Sequence, residues 1–472
     1  MAHPSEPVND EDEEVAVEFR MIVSDQSAII LQDALKFYNQ FARKNASNPR
    51  LLRDTAKAYQ RVGAIHERLG QYVRAEKAYN DAIEILADLQ QQFPNDADVA
   101  VQTGATVNQL GLVFMALGRY EDAKLKFDRA RDTLAVQLVM SANSEECQYE
   151  LARAFSNLGH VSWRLGKVRD ATKNHREALG QFEQLVEQNP QRAEYRLALS
   201  RSYRSVFPSG KYGSQWGDPL KIRLQAITIL EELVEDFPAV PDFQCELSET
   251  LATSWRWLAR SADAENIEER LDRAVHLAKQ IHSDYPTIPR YQAALADALK
   301  QQASHLRRDR AAESEPIYRE SIGLYQQLAE EFRAVVAYQF YAAMALNEHG
   351  ELLREMGRLD DSRVAIESAI DHQERYLEKR SGSGFGERML SRQYASLAKT
   401  LTELGETDMA SKVQEESEKM RAEAEKHFAK LRRQRGGGRR GPIPGRGRPS
   451  MRDRPPGPSR SRVDLPERGD PS

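Results

Sequence analysis

A chain of 472 residues with 8% aromatics and two cysteines has room for several domains or one long repeat array, and it excludes a disulfide framework or a cysteine-based zinc site. The net charge of −5 hides a division: residues 431–472 carry twelve arginines against four acids, or +8, which leaves −13 on residues 1–430. No apolar run reaches the roughly 20 residues of a spanning helix, and the polar N-terminal stretch is unlike a signal peptide, so a soluble cytoplasmic protein without membrane contact is expected.

Residues 1–23 read as an acidic disordered arm, with seven acids in the first eighteen positions. A helix is expected over 26–44, as an N-terminal cap or the remnant of a longer ancestor. A helical repeat domain then fills 24–430. RVGAIHERLGQYVRAEKAYNDAI (61–83) recurs as QLGLVFMALGRYEDAKLKFDRAR (109–131) and NLGHVSWRLGKVRDATKNHREAL (157–179). Gly63, Gly111 and Gly159 match at a spacing of 48, as do Gly70, Gly118 and Gly166, and Ala75, Ala123 and Ala171. Later copies are eroded but keep the beat through Pro190, Pro238 and Pro286 and through Tyr195, Phe243, Tyr291 and Tyr338. A seventh unit, 347–370, carries Gly350 and Gly357, and a degenerate eighth covers 396–417. The helix over 408–434 caps the array, and 431–472 is a disordered Arg/Gly/Pro-rich basic tail.

Each unit reads as a helical hairpin. Helix A ends near Leu69, Gly70 supplies a left-handed turn, and helix B starts near Tyr72. Gly63 and Ala75 are small because the two helices cross closely there. Tyr59, Leu69 and Tyr79 form a stripe that only a stacked neighbour can bury. The fold class is therefore all-α: a solenoid of seven to eight hairpins of 48 residues.

Tyr59, Val62-Gly63, Gly70-Gln71-Tyr72, Ala75, Tyr79 and Ala82 resemble the tetratricopeptide (TPR) repeat pattern. The resemblance implies a right-handed superhelix that holds a protein or peptide partner in its concave groove. The period departs from the usual length of about 34, which prolongs helix B and leaves the curvature open. Segments 32–70 and 235–252 are also similar to the TPR region of large bacterial serine/threonine kinases, notably planctomycete ones. That implies an accessory or substrate-recruiting module without a kinase domain: no Gly-rich phosphate loop, HRD-type loop or DFG occurs.

No nucleophile–base pair, metal cluster or cofactor loop stands out, so no enzyme activity, metal or cofactor is expected. Cys147 and Cys245 read as buried small apolar residues, and His160 sits where it could line the groove. Two helix-A registers line the candidate groove: Lys57, Ala105, Arg153 and Arg201, then Glu249 and Asp297, and, three residues on, Gln60, Asn108, Ser156 and Arg204, then Ala252 and Lys300. Arginine forks bind carboxylates and amides clamp peptide backbone, so an acidic or carboxylate-bearing peptide fits, against the alternative of a solvated helix face. Trp216, on a Gly-rich insert at 206–220, reads as a partner anchor or as a cover for a helix end. Trp255 and Trp257, two apart, divide between core and surface. The tail suggests weak, salt-sensitive contact with nucleic acid but lacks aromatics for stacking. The oligomeric state is left open.

Overall fold

The computed structural model describes residues 48–436 except 141–143, 206–217, 260–265 and 381–383. The acidic arm, the helix expected over 26–44, Trp216 and the tail beyond 436 lie outside the described residues. Sixteen helices and no strand occur among those described, in eight antiparallel hairpins. These are α1 (Pro49–Arg68) with α2 (Tyr72–Gln92), α3 (Ala97–Ala116) with α4 (Tyr120–Met140), α5 (Glu145–Arg164) with α6 (Val168–Gln188), and α7 (Ala193–Ser205) with α8 (Pro219–Asp236). Then come α9 (Pro241–Leu258) with α10 (Ile267–Asp284), α11 (Pro289–Leu306) with α12 (Ala311–Glu331), α13 (Val336–Glu355) with α14 (Leu359–Glu378), and α15 (Gly384–Glu403) with α16 (Thr407–Gly436).

Local chemistry sets the helix ends. The Asn48 side chain accepts from the Arg50 and Leu51 amides at the start of α1, and Asp96 and Ser144 cap α3 and α5 in the same way. Prolines at 49, 219, 241 and 289 occupy first-turn positions, where a missing N–H costs nothing. At the other end of α1, Gly70 takes φ 71°, the Gln71 amide donates to the His66 carbonyl at 2.8 Å, and the Gly70 amide donates to the Glu67 carbonyl at 3.0 Å. This paired closure satisfies carbonyls that the helix end would orphan. Gly118, Gly166, Gly357 and Gly405 repeat it. The sixth hairpin turns through 307–310 without glycine, in keeping with its eroded sequence.

Within hairpins the expected close crossings are present. A Cβ at Gly63 would lie 2.6 Å from the Tyr79 ring, at Gly159 2.5 Å from His175, and at Gly350 2.5 Å from Ile366; one at Gly111 would enter the Phe127 ring. Ala75, Ala123 and Ala171 are buried beside them, as are Tyr59, Leu69 and Tyr79. Cys147 and Cys245 are both buried. One expectation is corrected. α3 is long and apolar enough to cross a membrane. Its Val99, Val107, Leu110, Val113 and Phe114 are instead core residues between neighbouring hairpins.

The array coils until it meets itself. The turn after α1 rests on the fifth and sixth hairpins: Ile65 and Leu69 pack with Cys245, Ile281, Ile288 and Tyr291, and a Cβ at Gly70 would meet Phe332 at 2.7 Å. The turn after α3 meets the seventh hairpin, where a Cβ at Gly118 would lie 3.0 Å from Val336 and the Arg380 guanidinium stands 3.8 Å over the Tyr120 ring. The A helices therefore face a narrow interior rather than an open trough.

Candidate binding cavity on the inner face

The two registers expected to line the groove do lie on the A helices, but they are mostly engaged with the next hairpin. Gln60 donates to Thr106 Oγ1 at 2.6 Å. Asn108 is buried, accepts from Asn157 at 3.0 Å and donates to the Glu150 carbonyl. Arg153 pairs with Glu150 at 2.6 Å. Arg201 reaches Glu246 at 2.7 Å, and Arg204 reaches Glu246 at 3.0 Å and Glu249 at 3.1 Å. Lys57 is exposed and Ser156 half-buried. The expected free basic pair at Arg201 and Arg204 is corrected accordingly: acids one hairpin on already hold it. Arg290 joins the same cluster from α11. Burial alone would raise the Glu246 carboxyl, but Arg201, Arg204 and Arg290 together hold it well below the usual range.

Beside this cluster lies a cavity of about 650 Å³ lined by residues of α3 to α9. Arg164, Arg201, Arg204 and Arg223 line it, and among its described lining residues none is acidic. Trp163 and Trp257 give it flat apolar walls, and His160 and His175 stand edge to face with centroids 4.9 Å apart. His160 opens to solvent in the cavity yet sits inside the coil. Burial first, then His175 and the guanidinium groups of Arg204, Arg164 and Arg201, push its imidazole down to about 3. Burial pushes His175 down to about 4, and neither of its ring nitrogens has a hydrogen-bond partner. Both rings are neutral at pH 7, which leaves the four arginines to set the sign of the cavity. Trp255 and Trp257 are both half-buried: Trp255 packs beside Leu258 and Leu271 and donates to Gln301 at 3.1 Å, while Trp257 faces the cavity.

Sequence reasoning missed Arg223, because it lies on a B helix, outside the groove registers. It is 7% exposed and its Nε has no partner. Its guanidinium lies 5.3 Å from the centroid of the Trp257 ring. Burial, then the nearby Arg204, lowers its pKa from the ordinary value. A signal was present in the sequence: Arg223 precedes Ala226, Ile227 and Leu230 at helical spacing, which puts a charge on the buried stripe of α8. Among the described residues no group of three or more His, Cys, Asp or Glu could hold a metal.

No curated protein matches the chain in sequence. Among solved structures, a thermophilic TPR protein of Thermus thermophilus is 20% identical and aligns over 52% of this chain and 98% of its own, with a TM-score of 0.32. The Schizosaccharomyces pombe nuclear import adaptor Nro1 is 11% identical over 61% and 100%, with a TM-score of 0.39. The human IFIT1 dimer with PPP-AAAA is 12% identical over 85% and 96%, with a TM-score of 0.40. The family model of the tetratricopeptide repeat matches residues 56–86, which is the first hairpin from the middle of α1 to the middle of α2.

Proposed function

We propose that this chain is a non-catalytic helical-repeat scaffold that binds a protein or peptide partner on its inner face. The observation that carries the reading is the cavity beside α7 and α8, with four arginines, two tryptophans and no acidic lining residue among those described. A concave site with aromatic walls and one sign of charge suits a peptide segment of opposite sign better than it suits bond-making chemistry. A photocrosslinking residue placed at Trp163, on the cavity wall, is expected to capture a partner. The same residue at Val139, 85% exposed, is not. Equal capture from both positions, or none from Trp163, rejects the reading.

Two finer roles come from the sequence. One is an accessory or substrate-recruiting module beside a serine/threonine kinase, which rests on the family resemblance. The other is contact with RNA through the arginine-rich tail. Removal of 435–472 followed by an RNA-binding assay at low salt tests the second, and unchanged binding rejects it. A cytoplasmic location belongs with the same proposal.

A further inference from the structure

Four arginines line the cavity, but they are not equivalent. Arg201 and Arg204 are neutralised by Glu246 and Glu249. Arg164 is exposed, and against the effect of burial the nearby Tyr341 and Tyr120 hydroxyls raise its pKa. Arg223 is more than nine-tenths buried, has no acidic partner among the described residues, and leaves its Nε unpaired. A buried guanidinium without a counterion is strongly unfavourable, because its lost hydration is not returned. Of the two segments near Arg223 that lie outside the described residues, 206–217 contains no Asp or Glu, and 260–265 contains Asp263 and Glu265, whose removal is one arm of the test. Nearby Glu246 and Glu249 are already shared among Arg201, Arg204 and Arg290.

We infer that Arg223 anchors an oxyanion site in this cavity, and that the occupant is a carboxylate of an acidic peptide segment. The inference rests on the scaffold reading above and names the chemistry of the partner. The Trp257 ring lies close enough to restrain the Arg223 guanidinium. A restrained planar fork accepts the two oxygens of a carboxylate with little further ordering. Arg164, and the single net positive charge left on Arg201, Arg204 and Arg290 by Glu246 and Glu249, contribute long-range attraction rather than the direct contact. A volume near 650 Å³ holds a few side chains, and Trp163, 39% exposed, offers an apolar plane for the residue beside the acid.

The test uses the full chain at low salt with three fluorescein-labelled probes: a hexaglutamate peptide carrying one Phe, its phosphoserine counterpart and its lysine counterpart. Arg223→Met is expected to weaken the glutamate peptide at least tenfold, Arg223→Lys to weaken it less, and the lysine peptide to bind neither. Without peptide, Arg223→Met is expected to melt about 2–4 °C above wild type, because an apolar chain replaces an uncompensated charge. Glutamate-peptide binding that ignores Arg223→Met overturns the site. So does a lower melting temperature in Arg223→Met that Asp263→Asn with Glu265→Gln reproduces, since that pattern means an internal ion pair. Tenfold tighter, Arg223-dependent binding of the phosphoserine peptide overturns the carboxylate assignment. If Trp163 crosslinking persists while the Arg223 variants are silent, only this inference fails and the scaffold reading stands.

Discussion

Arg68 Nη1 lies 2.8 Å from Asp242 Oδ2, which ties α1 to α9 across 174 positions of sequence. Tyr291 donates to the other Asp242 oxygen at 2.8 Å and also meets Arg68. Burial would raise the Asp242 carboxyl, but Arg68 and Arg290 outweigh it and keep it below the ordinary value. This small network is the polar part of the seam where the coil closes, and the apolar part is Ile65 and Leu69 against Ile288 and Tyr291.

Arg68→Ala is expected to weaken the seam by about 1–3 kcal/mol, since it strips a partner from a mostly buried carboxylate. Two measurements check this: a lower urea midpoint, and a larger radius of gyration by small-angle X-ray scattering. An unchanged midpoint and radius would mean that the seam does not depend on this pair.

Gly63→Val is expected to destabilise by about 1–3 kcal/mol, because a Cβ there already overlaps the Tyr79 ring. Gly180, inside α6, has nothing within 4 Å of a Cβ. Gly180→Ala should therefore stabilise by about 0.5–1 kcal/mol through helix propensity alone. Opposite shifts in thermal melts of the two variants test the crossing geometry, and shifts of the same sign contradict it.

Glu67 supplies a pH prediction. Burial raises its carboxyl to about 7, against the opposing Tyr79 hydrogen bond of 3.0 Å and the Arg153 charge. An acid whose folded pKa is raised makes ionisation unfavourable to folding. Stability should fall as pH rises from about 4.5 through about 7, and the loss is complete above that range. Glu67→Gln is expected to be more stable than wild type at pH 8, with the advantage gone at pH 4. An advantage independent of pH would show that ionisation is not its origin.

His160 and His175 set the acid limb. Their folded pKa values, about 3 and about 4, lie below the ordinary value of 6.5. Bases kept neutral in the folded state give stability that is present above pH 6.5 and lost as pH falls towards 4 and 3. His175→Phe should flatten the loss of melting temperature between pH 6.5 and pH 4. A slope equal to that of wild type would place the acid sensitivity elsewhere.

The hairpins were legible because their determinants are close in sequence. Gly63 and Tyr79 are 16 positions apart, and Gly70 with Gln71 closes α1 within one turn. The cavity was half legible. Helix-A spacing led to Arg153, Arg201 and Arg204, and it also led to Glu249, yet it missed Glu246 one helical turn earlier, which neutralises both arginines 45 and 42 positions before it. Arg223 escaped because a charge on a helix B falls outside any groove register.

The helical hairpin as the unit, the glycine turns that close five of the A helices, and the faces that pack within a hairpin were all written locally in the chain. Those outcomes follow from short-range sterics and from the 48-residue recurrence of glycine, alanine and aromatic positions. Long-range packing alone set the closure of the array on itself, the meeting of Arg68 with Asp242, and the internal pairing of Arg201 and Arg204 while Arg223 has no acidic partner among the described residues. The reason is accumulation. Each hairpin rotates slightly on the last, and the sum over several interfaces sets the curvature, so a small angular difference at each step moves distant side chains into or out of contact.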